Sequence, residues 1–80
     1  MEEEEITLKQ RILDDVKAKK VADLREIFET IPTIDIAECL EEEDDASIFI
    51  YIFRVISSDY TGDFFTELTT EQQELIVRQF

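Results

Sequence analysis

A single glycine, Gly62, and a single proline, Pro32, punctuate the 80 residues. That scarcity limits the fold more than any other feature. A β-protein of this length needs turn residues roughly every 8–12 positions to reverse its strands. The apolar residues recur instead at helical spacing, three and four apart. Leu8, Ile12, Leu13 and Val16 form one stripe, and Val21, Leu24, Ile27, Phe28 and Ile31 a second that stops at Pro32. Ile36, Ala37 and Leu40 form a short third; Ile48, Phe49, Ile52, Phe53 and Ile56 a fourth. Tyr60, Phe64, Phe65 and Leu68 form a fifth, and Leu75, Ile76 and Phe80 a sixth. The pattern predicts an all-α domain of five or six short helices.

Helix starts are marked between the stripes. Thr7 with Gln10, and Thr69 or Thr70 with Gln72 or Gln73, have the spacing of a capping box, in which residue and third neighbour cap one another. Thr33, Ser57 and Ser58 are further N-cap candidates. Between the third and fourth stripes lie five consecutive acids, Glu41–Asp45. Asp44 or Asp45 fits the start of the fourth helix, where a carboxylate caps free N–H groups and faces the positive end of the dipole. Glu41–Glu43 are surplus to that role. Ile50, Tyr51 and Val55 lie off the main stripe of the fourth helix, so it is apolar around most of its circumference and should be central.

The pattern Asp–apolar–apolar–x–x–Leu occurs at Asp35–Leu40 and again at Asp63–Leu68, an offset of 28 that also relates Ile48 to Ile76 and Ile52 to Phe80. Such a recurrence suits helix pairs stacked as a solenoid-like array. Residues 1–80 read as one domain, with residues 1–6 an acidic tail.

Charge narrows the function. Twenty-one acids against 8 bases give a formal −13, which argues against nucleic acid and anionic membrane surfaces as partners. It suits cations, basic partners or solubility alone. No apolar run approaches the roughly 20 residues of a membrane helix, so this segment does not insert. The chain has no histidine, the commonest general base and transition-metal ligand. Its carboxylates imply no cleft, and we expect no enzyme. Cys39, beside Leu40 on a helix, reads as a small, half-buried hydrophobe. Tyr51, Phe53, Phe64 and Phe65 read as core. Leu75, Ile76 and Phe80 predict an apolar C-terminal edge on which two copies could pair.

The stretch Asp23-Leu24-Arg25-Glu26-Ile27-Phe28, then Ile31-Pro32-Thr33-Ile34-Asp35-Ile36-Ala37-Glu38-Cys39-Leu40-Glu41-Glu42, resembles the N-terminal cytosolic domain of MgtE-type magnesium transporters. Ile48–Ile56 is similar to that family's next helix, and Thr61–Gln73 to the one after, so the resemblance spans roughly residues 20–80. The chain departs from the pattern at Ile31 for a frequent histidine, Glu43 for leucine, Thr70 for proline, and Gly62 within a helix.

The resemblance implies a right-handed superhelix of short helices, an architecture similar to that of flagellar motor-switch domains. It also implies a regulatory domain on the cytoplasmic side of the membrane, working with CBS domains and a pore of the same transporter. There, cytosolic Mg²⁺ bridges acidic faces and closes the assembly. By the family motif Asp63 stands where a bridging acid is found, and Asp59, one turn earlier, shares its face. Mg²⁺ held weakly through water by such carboxylates is the expected cofactor. The alternative is a helical protein–protein scaffold similar to the motor-switch proteins, in which the acids only solubilise.

Overall fold

The computed structural model describes residues 7–79, folded as six helices. They are α1 (Leu8–Ala18), α2 (Val21–Thr30), α3 (Thr33–Cys39), α4 (Ala46–Val55), α5 (Ser58–Glu67) and α6 (Thr70–Gln79). The acidic tail and Phe80 lie outside the described residues.

Each boundary has a local cause. Thr7 caps α1, its Oγ1 accepting from the Gln10 amide at 3.1 Å. The reciprocal half of that expected box is not formed, because the Gln10 side chain donates forward to Asp14 at 2.9 Å. α1 ends on Lys19 in the left-handed region, φ 61°, with the Lys20 amide donating back to the Asp15 carbonyl at 2.8 Å. α2 stops at Ile31, which is extended as the residue before a proline must be. The cap of α3 is Pro32 rather than Thr33: its fixed φ of −57° starts the helix one residue earlier than the threonine pattern suggests. Asp45 caps α4, its carboxylate accepting from the Ser47 amide at 3.0 Å and the Ser47 hydroxyl at 2.7 Å. Ser57 caps α5 through the Asp59 amide at 3.1 Å.

Helices pack mainly on neighbours two places along the chain. α1 packs on α3, α2 on α4, α3 on α5 and α4 on α6, while α1 also closes on α2 and α4. α4 therefore touches α1, α2 and α6, the central place its apolar circumference requires. The core runs through all six elements, from Ile12 through Leu24, Ile27, Ile36, Leu40, Phe49 and Ile52 to Phe64 and Ile76. Phe64 gathers the aromatics. Phe28 meets it edge-on at 5.1 Å between centroids, Phe53 lies at 5.3 Å and Phe49 at 6.5 Å. Edge-to-face geometry sets the positive rim of one ring against the negative face of another, adding about 0.5–1.5 kcal/mol to burial.

The 28-residue recurrence is visible in α3 and α5. Ile36 and Phe64 are buried alike, as are Leu40 and Leu68, while Asp35 and Asp63 are both exposed. It slips in the following pair, because α6 begins at Thr70, four residues ahead of the position equivalent to Ala46.

Candidate functional site

The acid-rich junction is held by a residue about 30 positions further along the chain. Gln72 and Thr69 form the expected capping box at the start of α6: the Gln72 amide donates to Thr69 Oγ1, and the Thr69 amide to Gln72 Oε1, both at 3.1 Å. That use of Oε1 aims the other half of the amide inward. Gln72 Nε2 donates to the carbonyls of Leu40 at 2.7 Å, Glu43 at 2.8 Å and Glu41 at 3.1 Å. The side chain is buried. A helix end leaves its last carbonyls without intrahelical donors, and Gln72 supplies the donor for the turn after α3. The backbone of the acid run is thereby held, while Asp45 caps α4, Glu43 Oε2 accepts from the Asp45 amide, and Glu41, Glu42 and Asp44 are exposed. Spacing identified Gln72 as a cap partner but could not show its reach to residues about 30 positions earlier.

Asp59 and Asp63 lie on successive turns of α5, and both are exposed. The backbone N–H of Asp59 serves the Ser57 cap, leaving its carboxylate free of that role. Asp63 borders a cleft of about 510 Å³ that it shares with Glu29 at the end of α2 and Glu67 on α5, over a floor including Phe28 and Tyr60. Asp59 does not line that cleft. Glu67 Oε1 is buried there with no hydrogen-bond partner. Among the described residues no three Asp, Glu or Cys side chains stand close enough to hold one metal ion. The described residues therefore form no dedicated inner-sphere cage.

The residues with the most perturbed ionisation were not singled out by the sequence. Arg11 of α1 forks onto Asp23 of α2, its Nε at 2.9 Å from one carboxylate oxygen and its terminal nitrogen on the other. Asp15, one turn after Arg11, is only 4% exposed, and its Oδ2 has no partner. Burial, then the neighbouring Asp23, push Asp15 up to about 6, against the pull of Arg11 and Lys20. Asp23 is held down at about 2, first by the Arg11 guanidinium and then by Asp15. The two carboxyls behave as one coupled unit. In the sequence Asp15 is one acid among many. Only the closure of α1 on α2 distinguishes it.

Cys39 is half-buried, its Sγ 3.2 Å from the Ile36 carbonyl, and burial raises its thiol above the usual range. This is the small hydrophobe expected, and burial disfavours its thiolate form. Ile76 departs from its expected place at an exposed C-terminal edge. It is 2% exposed within the core, and Val77 is the residue that faces out, 60% exposed.

No helix among the described residues is long and apolar enough to cross a membrane. Comparison of the chain with protein-family models, with curated proteins and with solved structures returns no match.

Proposed function

We propose that this chain is a cytosolic regulatory domain of a magnesium transporter, sensing Mg²⁺ through its acidic surface and helping to close the pore. One observation carries the reading. The segments that resemble the MgtE-type domain fall on consecutive helices α2 to α6 with most of their apolar positions inward, and Asp63 and Asp59 are exposed together on α5. The packing of each helix on the one two places along supports a superhelical stack. Without cations, two acidic faces repel. Hydrated Mg²⁺ between them removes that repulsion, with Asp63 and Asp59 the residues here that would hold it through water. CBS domains and a pore of the same chain are the partners this reading requires, on the cytoplasmic side of the membrane.

The test is substitution in a transporter that carries this domain. Asp63→Ala should raise the Mg²⁺ concentration needed for closure while leaving the helical fold intact, since Asp63 is exposed. A folded variant with an unchanged closing threshold would refute the role. For the chain alone, Mg²⁺ and Na⁺ titrations at equal ionic strength should move the amide signals of α5 differently.

The absence, among the described residues, of a three-carboxylate cluster favours a second reading, a helical scaffold whose acids only keep it soluble. Identical responses to the two cations, in the chain and in the transporter, would support it.

A further inference from the structure

A trough runs along the outer side of α5 and α6. It comprises two adjoining hollows of about 380 and 470 Å³ that share Phe65 and Val77. Phe53, Gly62 and Ile76 line the first hollow, and Glu74 and Arg78 the second. Val77 stands 60% exposed beside it, an apolar knob in water. Gly62 is the matching hole. It lies in the interior of α5 without a positive φ, and a Cβ built there would meet no atom within 4 Å beyond its own helix backbone. Glycine within a helix costs about 0.5–1 kcal/mol relative to alanine. Among the described residues no side chain uses the space it leaves.

Charge says which partner fits. Residues 26–80 carry 14 acids against two bases, Arg54 and Arg78. The trough is the exception, for its charged lining is one acid, Glu74, and one base, Arg78. These two are not paired with each other, the one ion pair among the described residues being Arg11–Asp23. A basic partner would be drawn to the carboxylates elsewhere. A neutral face bearing one charge of each sign matches its own copy.

We propose that the trough is a two-fold interface between copies of this chain, with α6 crossing α6 of the partner copy antiparallel at the level of Ile76, through the outward face that carries Glu74, Val77 and Arg78. Glu74 and Arg78 lie symmetrically about Ile76 in sequence, so that crossing sets each Glu74 against the partner subunit's Arg78. Val77 of each copy enters the other's hollow at Gly62. The pairing is isologous and closes at two copies. It is independent of the magnesium reading.

Sedimentation of the 80-residue chain from micromolar to millimolar concentration should show a monomer–dimer equilibrium. Added salt should favour the dimer, because each copy carries −13. Val77→Glu should weaken association at least about tenfold, as loss of a central apolar contact does, and leave the helical circular dichroism unchanged. Gly62→Ala should raise the monomer's melting temperature yet weaken the dimer, a split that a purely internal role would not produce. Charge exchange is decisive. Glu74→Arg and Arg78→Glu should each be monomeric alone, and an equimolar mixture should form the heterodimer, read by native mass spectrometry. A chain monomeric throughout, a dimer indifferent to Val77→Glu, or a mixture that stays monomeric would each overturn the proposal.

Discussion

Replacing Asp15 by asparagine should stabilise the protein at neutral pH, against the usual outcome of changing a buried polar residue. Asp15 is buried, its Oδ2 has no donor, and it faces the Asp23 carboxylate that Arg11 already satisfies. Its carboxyl is raised from 3.8 to about 6, so between those values the folded chain binds a proton that the unfolded chain has released. Stability must therefore fall as pH rises from about 4 to about 6, and the deficit persists at pH 7. At about 1.4 kcal/mol per decade the shift corresponds to at most about 3 kcal/mol. Coupling to Asp23 and relaxation around the anion reduce it, and about 1–2 kcal/mol is expected. Asparagine at residue 15 can donate to Asp23 as the protonated acid would. For a domain of this size the gain is about 4–15 °C in melting temperature at pH 7. It should shrink toward zero by pH 4. The assay is thermal unfolding of both proteins from pH 7 to pH 4, taken as the difference at each pH. The variant carries every other acid, so the general repulsion within an acidic chain largely cancels. A difference that is flat with pH, or a variant less stable at pH 7, would refute the reasoning.

Three further outcomes can be checked by denaturant or thermal unfolding. Gln72→Ala leaves the carbonyls of Glu41 and Glu43 without their donor, and that of Leu40 with only the Glu43 amide, and should cost about 2–4 kcal/mol; Gln72→Glu, an anion in the same place, should cost more and recover partly in acid. Phe64→Ala removes the ring at the centre of the aromatic cluster and should cost about 3–5 kcal/mol, most of it recovered by Phe64→Leu. Lys19→Gly relieves a left-handed residue at the end of α1 and should gain up to about 1 kcal/mol, less what is lost when Lys19 Nζ no longer sits 5.0 Å over the Tyr51 ring.

Helical class, helix order and most of the core were legible because they depend on local quantities. Phe49, Ile52, Phe64 and Leu68 are buried where the three-to-four spacing puts them, and Asp45 and Ser57 cap where hydroxyl or carboxylate chemistry requires. Misreadings arose where two local signals competed. At Pro32 a fixed φ outweighed the threonine behind it, and at Gln10 a partner one turn ahead took the side chain from the cap. Ile76 and Val77 are adjacent apolar residues at the end of a stripe, and only the position of α4 decides which is covered. Asp59 and Asp63 could be placed outward from the phenylalanines that follow, whereas the cleft beside Asp63 depends on where α2 ends, and periodicity carries no such information.

The same distinction answers the acid run. Glu41–Glu43 look costly beside the end of α3, because negative side chains there meet the negative end of its dipole. Backbone carbonyls, not carboxylates, are what the fold must satisfy here, and one neutral amide from α6 reaches those of Leu40, Glu41 and Glu43. A lysine or arginine in that place would bring its charge into the buried turn and draw the carboxylates in after it. Gln72 donates without adding charge, so no basic side chain among the described residues engages the acids of the run. A surface meant to answer free cations, or merely to repel its own kind, needs its carboxylates unpaired. The interior donor adds no charge to pair with them, and Asp15, buried between α1 and α2, is an acid the fold holds at a loss.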